Sequence, residues 1–286
     1  MEPKKLSTTR MKKMKADGVP ISMVTAYDYP SAKLAEEAGV DVILVGDSLG
    51  NVVQGQQSTL PVTLDDIIYH TKMVTRAATG TFVVADMPFM TYHGSIDQSL
   101  AGIGRLMREG LCQAVKMEGG AEIAHTVEAS VRAGVPVVGH LGLTPQSVYQ
   151  IGGYKVQGKN NEQARKLLDD AKALEQAGAF AIVLELTTDE LSAEITRQLS
   201  IPTIGIGAGP NCDGQVLVFH DLLQYSSPAY PKKMVKTYAN IGDSIRNGIA
   251  EYVKEVKNRS FPAQEHTFHA DLEIAGQLYG SKPSDE

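Results

Sequence analysis

The sequence of 286 residues has only two cysteines and no long apolar run. Cys112 and Cys212 are too few for a disulfide scaffold, which a chain of this length does not need, so we expect free thiols. No apolar stretch approaches the roughly 20 residues of a membrane-spanning helix. The N-terminus lacks the apolar core of a signal peptide, and Glu2 and Asp17 argue against a transit peptide. We therefore expect a cytoplasmic protein with no membrane partner.

Positive charge is also in short supply. The formal net charge is −6, which opposes general binding to nucleic acid because phosphates repel a negative surface. The basic run at the N-terminus, MEPKKLSTTRMKKMKADG, is therefore better explained as a solvated lead-in over residues 1–18 than as a nucleic-acid arm. We expect no nucleic-acid partner.

The sequence does contain a regular alternation of short runs rich in β-branched residues with longer segments of helical periodicity. Several helical segments end in Ala-Gly followed directly by a strand, as in AGVDVI, AGVPVV and AGAFAI. Eight such units predict the α/β class and a (β/α)₈ TIM barrel. A doubly wound open sheet is the alternative, disfavoured because no nucleotide fingerprint follows the first strand. The predicted strands begin at Ile21, Val40, Phe82, Ala114, Val135, Ala179, Ile201 and Gln215.

No domain boundary is visible along the chain. We expect residues 1–286 to form a single barrel domain with the lead-in at one end and a peripheral tail over residues 260–286 at the other. A long helix is predicted after the eighth strand, from Lys236 to Asn258. The loop that starts at His140, HLGLTPQSVYQIGGYKVQGK, is long and rich in glycine, which predicts a lid at the catalytic face.

Polar residues cluster at the carboxyl ends of the predicted strands, which form one face of a barrel, where active sites lie. Singly, each has a structural explanation as a loop cap, an ion pair or a core histidine. Together, four carboxylates in one small region require compensation. Lys116 and a divalent cation would supply it, so we predict a metal-containing site. The residues, in strand order, are Asp47, Ser48, Asp86, Lys116, Glu118, His140 and Glu185.

The ligand types predict which metal this site binds. The acids offer hard oxygen donors, and no Cys/His cluster has zinc spacing, so Mg²⁺ is favoured. Asp47, Asp86 and Glu118 come from three adjacent strands and can converge on one ion. Glu185 lies two strands further round, which favours it as a base across the pocket.

Weaker signals flank these residues. Gly46 and Gly50 lie on either side of Asp47, and the absence of a side chain there predicts room for metal and substrate beside the backbone. His220 and Asp221 end the predicted eighth strand and can reach the pocket from it.

The chain resembles the ketopantoate hydroxymethyltransferase family from about Lys12 to His269. The resemblance lies in the stretches MVTAYDYPSAKLAEEAGVDVILVGDSLGNVVQG, VVADMPFMTY, AVKMEGG, GHLGLTPQS, IPTIGIGAG with DGQVLV, and FPAQEHTFH. It implies a (β/α)₈ barrel of the phosphoenolpyruvate/pyruvate type. It also implies transfer of a hydroxymethyl group from 5,10-methylenetetrahydrofolate to 3-methyl-2-oxobutanoate, which gives 2-dehydropantoate for pantothenate and coenzyme A synthesis.

The resemblance also implies roles for the acids and an assembly state. Asp47 and Asp86 would bind Mg²⁺, with Glu118 completing the metal site, and Glu185 would be the proton acceptor. Members of the family that the chain resembles form large homo-oligomers, often decamers, so the resemblance implies a homodecamer.

The ketoacid contacts are implied in the same way. Ser48 and Lys116 would hold the carboxylate and keto group beside the two aspartates, with His140 nearby. The chain departs from the family pattern at Glu185–Thr188, where ELTT replaces the common ECVP, and at Gln224, where glycine is common. These departures affect loops and leave the proposed contact residues in place.

The implied chemistry suits this set of residues. The ketoacid would chelate Mg²⁺, whose Lewis acidity stabilises the enolate formed when Glu185 removes the C3 proton. The enolate would attack the methylene carbon of the folate, and water would release the product. One alternative is a Mg²⁺-dependent 2-oxoacid lyase or aldolase that needs no folate. Another is a catalytically silent barrel, which the costly acid cluster argues against.

Overall fold

Eight parallel strands pair with their neighbours in chain order, and the eighth pairs with the first to close a barrel. The structure, a computed structural model, describes residues 6–225 and 232–270. The predicted (β/α)₈ barrel is confirmed, and all eight predicted strands are present. They are β1 (Ile21–Thr25), β2 (Val42–Val45), β3 (Phe82–Asp86), β4 (Ala114–Glu118), β5 (Val137–Gly142), β6 (Ala181–Glu185), β7 (Thr203–Ile206) and β8 (Gly214–Leu217).

Helices separate these strands along the chain, except between β7 and β8, and they pack on the outside of the barrel, as helix α4 does on β2 and β3. Short helices, α3, α7 and α10, follow β2, β5 and β8. The helices are α1 (Thr8–Ala16), α2 (Tyr29–Glu37), α3 (Leu49–Val52), α4 (Leu64–Ala77), α5 (Ile96–Arg105), α6 (Ala124–Arg132), α7 (Val148–Ile151), α8 (Asn161–Gln176), α9 (Asp189–Gln198), α10 (Phe219–Leu222) and α11 (Ile241–Asn258).

Alternate residues of each strand point into the barrel, and this inward row changes character along its length. Toward the amino ends it is apolar, as at Val42 and Val84, which belong to one buried cluster. Two residues further along the strand the row becomes ionisable, since Asp86 follows Val84 and Glu185 follows Val183. The apolar part forms the core, and the ionisable part is left at the carboxyl face.

The N-terminal lead-in is a helix with one side chain in the core. The N-cap residue of α1 is Ser7, whose hydroxyl accepts a hydrogen bond from the Arg10 N–H. Met11 is only 2% exposed and belongs to the barrel's apolar cluster. Lys15 Nζ lies 2.7 Å from Asp213 Oδ2, just before β8. The lead-in is therefore solvated over only part of its surface, because Met11, with Leu6 and Met14 packed against the same cluster, docks the basic helix at the amino end of the barrel.

The chain divides into two compact units, Met1–Ala239, which contains the barrel, and Asn240–Glu286. The assignment of residues 1–286 to a single domain stays a prediction. Residues 271–286 of the predicted tail lie outside the described part. None of the described helices combines the length and the apolar composition that a membrane span requires.

The second unit contains α11, which begins at Ile241 rather than at the predicted Lys236. Asn240 sets this start, because its side chain accepts a hydrogen bond from the Asp243 N–H. The helix buries no residue in the described structure, although apolar side chains recur along one of its faces. This apolar stripe consists of Ile245, Ile249, Tyr252, Val253 and Val256, all of them exposed.

Candidate active site

Five ionisable side chains meet inside the barrel at the carboxyl ends of β3 to β6: Asp86, Lys116, Glu118, His140 and Glu185. The strand register explains their meeting, since Asp86 pairs with Lys116 and Glu118 pairs with His140 on neighbouring strands. Neighbouring strands lie about 4.8 Å apart, so paired residues on the inward side can touch. The predicted convergence of these residues at one face of the barrel is therefore seen.

Lys116 lies at the centre of this cluster and is buried. Its Nζ is 3.2 Å from Asp86 Oδ1, 3.8 Å from Glu118 Oε1 and 3.0 Å from His140 Nδ1. Burial by itself lowers the pKa of Lys116, but the charges of Asp86, Glu118 and Asp47 outweigh burial and raise it. The ammonium group therefore stays charged and offsets part of the negative charge around it.

His140 links Lys116 to Glu185. Its Nε2 lies 3.3 Å from Glu185 Oε2, and its Nδ1 lies 3.2 Å from Glu118 Oε1. Burial and Lys116 lower the pKa of His140, but Glu118 and Glu185 raise it to about 9 overall. The short distance to Lys116 fits a neutral ring that accepts at Nδ1, whereas the raised pKa favours the imidazolium. In both forms Nε2 carries a proton and can donate it to Glu185 or to a bound substrate.

Asp47 adds a fourth carboxylate to the cluster. It follows β2, is only 4% exposed, and donates its backbone N–H to Asp86 Oδ2 at 2.9 Å. Burial, and then the charges of Glu118 and Asp86, raise the pKa of Asp47 well above its usual range. Burial also raises the pKa of Asp86, against the opposing effect of Lys116. The ionised form of each aspartate is therefore unfavourable in the protein alone, and a bound cation would stabilise it.

The donor set fits Mg²⁺. Two buried carboxylate oxygens, Asp86 Oδ1 and Glu118 Oε1, have no hydrogen-bond partner in the described part of the chain. No three Asp, Glu, His or Cys side chains among the described residues are arranged to hold a metal by themselves. Mg²⁺ usually takes one or two carboxylates and completes its octahedron with water and substrate. Asp47, Asp86 and Glu118 can supply that number of oxygens, and their role as ligands stays a prediction.

Ser48 lies beside Asp47, and its hydroxyl is 2.8 Å from Tyr27 Oη. The ring of Tyr27 also faces His220, with ring centroids 5.6 Å apart. The strand β8 ends at Leu217, so His220 and Asp221 lie in α10 and the prediction that they end this strand is wrong. No hydrogen bond or ion pair in the described structure joins either residue to the carboxylate cluster.

The two glycines around Asp47 have different environments. A Cβ on Gly46 would lie 2.9 Å from Ser48 Oγ and 3.5 Å from Asp86 Oδ2, so glycine keeps this side of the cluster open. A Cβ on Gly50 would instead lie 2.7 Å from Val62 Cγ2. The prediction of substrate room at Gly50 is therefore wrong, because this glycine permits close packing of α3 on a neighbouring loop.

Two buried residues that the sequence analysis did not single out complete the cluster. Gln146 donates its side-chain Nε2–H to Asp47 Oδ2 at 2.8 Å and its backbone N–H to Glu118 Oε2 at 2.9 Å. Tyr92 donates its hydroxyl to Gln146 Oε1 at 2.7 Å and accepts the Glu118 N–H at 3.0 Å. The only sequence signal for them is their position in the loops after β3 and β5, at the same end of the barrel as the acids.

The loop between β5 and α8 approaches this face. The Gln157 N–H donates to Leu186 O at 2.7 Å, which fixes the end of the loop beside β6. Burial, and then the charges of Glu185 and Asp47, raise the pKa of Tyr154 in the same loop. Tyr154 is therefore within electrostatic reach of the acids, and the function of the loop as a lid stays a prediction.

Comparison with known proteins shows which family the chain belongs to. The model of the family described as ketopantoate hydroxymethyltransferase matches residues 5–264. The chain belongs to the ketopantoate hydroxymethyltransferase family. A 3-methyl-2-oxobutanoate hydroxymethyltransferase of Geobacillus sp. (strain WCH70) is 57% identical over 270 residues, which cover 94% of this chain and 96% of that protein. Another, of Thermoanaerobacter sp. (strain X514), is 56% identical over 264 residues, covering 92% and 96%.

Solved structures share the fold of this ketopantoate hydroxymethyltransferase family member at much lower identity. Phosphoenolpyruvate phosphomutase from Streptomyces platensis subsp. rosaceus has 17% identity and a TM-score of 0.59, covering 96% of both chains. A 2,3-dimethylmalate lyase of the PEP mutase/isocitrate lyase superfamily has 18% identity and a TM-score of 0.56, covering 96% of this chain and 91% of that one. The predicted barrel type is thereby confirmed as a fold.

Proposed function

We propose that this chain transfers a hydroxymethyl group from 5,10-methylenetetrahydrofolate to 3-methyl-2-oxobutanoate, giving 2-dehydropantoate, with Mg²⁺ as its cofactor. Membership of the family and the names of relatives at 56–57% identity support this activity and its place in pantothenate biosynthesis. The observation that carries the site assignment is the buried cluster of Asp47, Asp86 and Glu118 around Lys116, in which three carboxylates share one nearby ammonium group.

The substrate and the metal bind side by side in this proposal, and Asp47 and Asp86 belong to both sites. Asp47, Asp86 and Glu118 hold the cation, and Ser48 and Lys116 bind the carboxylate and keto oxygens of the ketoacid. His140 is also a binding residue in this proposal, because its Nε2–H can donate a hydrogen bond to the ketoacid. When bound, Mg²⁺ supplies Lewis acidity that stabilises negative charge developing on the keto oxygen.

Glu185 is the proton acceptor in this proposal. Its carboxylate is 14% exposed and lies on the far side of the pocket from Asp47, with His140 between it and Lys116. The C3–H bond of the ketoacid breaks, the proton moves to a carboxylate oxygen of Glu185, and the electron pair is left as an enolate. The positive charge of Lys116 stabilises that enolate until its C3 attacks the methylene carbon of the folate. The bonds from that carbon to the folate nitrogens break, and water supplies the hydroxyl group of the product.

The alternative is a Mg²⁺-dependent 2-oxoacid lyase or aldolase that acts without folate. The acid cluster alone suits it equally well, since both reactions develop negative charge beside a keto group. The comparisons do not favour it, because the relatives at 56–57% identity are named hydroxymethyltransferases.

Turnover should require the ketoacid, methylenetetrahydrofolate and a divalent cation together. Formation of 2-dehydropantoate, followed by mass spectrometry, should fall by about 10²-fold or more in EDTA, since a Lewis acid supplies several kcal/mol of transition-state stabilisation. Excess MgCl₂ should restore it. Cleavage of a 2-oxoacid without folate would favour the alternative, and turnover unchanged by EDTA would contradict the metal assignment.

We also propose a homo-oligomer, a homodecamer by family resemblance. The apolar stripe of α11 supports it, because an exposed stripe of this kind usually meets a partner. Replacing Ile249 with aspartate should shift sedimentation velocity profiles toward smaller species. Asn247→Asp, which adds the same charge on the opposite face of α11, is the matched control and should leave the profile unchanged. An unchanged profile for the Ile249 variant would contradict a role of the stripe in assembly.

A cytoplasmic location completes the proposal. Cys112 and Cys212 are both free, which suits a reducing compartment. Burial raises the pKa of Cys112 to about 12, so its thiol stays protonated and unreactive at neutral pH.

A further inference from the structure

Gln146 occupies an unusual position for an uncharged residue, because it touches two of the proposed metal ligands at once. It lies in the short turn Pro145–Ser147 after β5 and is 4% exposed. Its side chain donates to Asp47 Oδ2 at 2.8 Å and to the Met87 carbonyl at 3.0 Å. Its backbone N–H donates to Glu118 Oε2 at 2.9 Å.

The orientation of this amide is fixed by its surroundings. Both N–H groups of Gln146 face acceptors, and its carbonyl oxygen faces the Tyr92 hydroxyl at 2.7 Å. A flipped amide would oppose oxygen to oxygen at Asp47 and Met87 and would lose both of those hydrogen bonds. Tyr92 is fully buried and is itself held by the Glu118 N–H, so the amide has little freedom to turn.

Asp47 and Glu118 each accept a hydrogen bond from Gln146 with one carboxylate oxygen, and the other oxygen makes no contact with Gln146. Asp47 uses Oδ2, and no hydrogen bond in the described structure engages its Oδ1. Glu118 uses Oε2, and its buried Oε1 has no hydrogen-bond partner among the described residues, with only the ion-pair contacts to Lys116 at 3.8 Å and His140 at 3.2 Å beside it. The contacts therefore select one rotation of each carboxylate and leave one oxygen of each for a ligand.

We propose that Gln146, held by Tyr92, is a positioning residue that orients the carboxylates of Asp47 and Glu118 for the divalent cation. This inference rests on the proposed function, which makes those carboxylates the metal ligands. A neutral amide suits the task because it donates hydrogen bonds without placing a positive charge beside the cation, as lysine or arginine would. A glutamate would remove the donors and add repulsion.

The test measures metal binding directly, without turnover. Mn²⁺ serves as a paramagnetic probe, and its affinity for the metal-free protein is obtained by electron paramagnetic resonance titration. Gln146→Met keeps the length of the side chain and the backbone contact to Glu118 but removes the contact to Asp47. Its Mn²⁺ affinity should fall by ~10–100-fold, the usual effect of removing a residue that orients metal ligands. Tyr92→Phe should lower the affinity less, in the same direction.

Gln157→Met is the matched control, since Gln157 lies in the same loop and its side chain bonds only the Lys155 carbonyl among the described residues. It should bind Mn²⁺ as the unmodified protein does. Activity of the Gln146 variant should recover as Mg²⁺ is raised, whereas a merely structural residue would lower activity and melting temperature without moving the metal dependence. Unchanged Mn²⁺ affinity in Gln146→Met would overturn the proposal. Failure of the unmodified protein to make 2-dehydropantoate would overturn the proposed function instead, and the Mn²⁺ titrations would still decide the role of Gln146.

Discussion

Replacing Glu185 with glutamine should abolish exchange of the C3 proton of 3-methyl-2-oxobutanoate while leaving its binding intact. Glutamine has the same shape and can still contact His140 Nε2, which lies 3.3 Å from the Glu185 carboxylate. It has no basic oxygen to accept a proton, so turnover should fall by about 10²–10⁴-fold, the usual contribution of a positioned base. Exchange is measured by proton NMR in D₂O, and ketoacid binding by calorimetry in the presence of Mg²⁺.

Glu190→Gln is the control for this experiment. Glu190 is an exposed residue in the first turn of α9, shortly after the strand that ends at Glu185. The same change of charge there should leave exchange and turnover as they are. Exchange at the normal rate in Glu185→Gln would assign the base to another residue, and loss of ketoacid binding in that variant would make Glu185 a binding residue.

Replacing Lys116 with methionine should have the largest effect on stability. The change removes the ammonium group that lies 3.2 Å from Asp86 Oδ1 and 3.8 Å from Glu118 Oε1, and it leaves both acids buried. Breaking a buried ion pair from one side typically lowers the free energy of unfolding by about 3–5 kcal/mol. Added Mg²⁺ should recover part of this loss, because a cation bound by the folded state stabilises it. Urea unfolding in EDTA and in MgCl₂ measures both effects.

Lys72→Met provides the comparison on the surface. Lys72 pairs with Glu109 at 3.5 Å, and both side chains are substantially exposed. Its removal should change the free energy of unfolding by no more than about 0.5 kcal/mol, with no dependence on Mg²⁺. Equal unfolding free energies for the Lys116 variant and the unmodified protein in EDTA would show that the ammonium group of Lys116 does not stabilise the carboxylate cluster.

The barrel and most of its polar face could be predicted because both follow from strand periodicity. Each strand carries its inward residues two apart, so the step from Val84 to Asp86, or from Val183 to Glu185, is visible in the sequence itself. Eight such units predict a sheet that closes into a barrel, and in a closed barrel the carboxyl ends of all strands lie at one face. Charged residues at strand ends can be recognised as functional candidates because burying a charge has a large free-energy cost. Uncharged residues give no such signal.

Gln146 and Tyr92 could not be predicted for that reason. Each is uncharged and lies in a loop, and its importance depends on contacts with distant segments, such as Asp47 and Glu118. The error at Gly50 has the same origin, since Val62 approaches this glycine from a separate loop. Strand periodicity gives no information on how loops pack against one another.

The contact between Asp47 and Gln146 also has a consequence for synthesis of the chain. The two residues are 99 positions apart in the sequence. As the polypeptide leaves the ribosome, Asp47 emerges with β2. Gln146 can contact it only after β3, β4, β5 and the following turn have also been synthesised. A nascent chain that is arrested before this turn therefore lacks the complete carboxylate arrangement. Magnesium would then stabilise a barrel that is already largely assembled, rather than guide its first strands together.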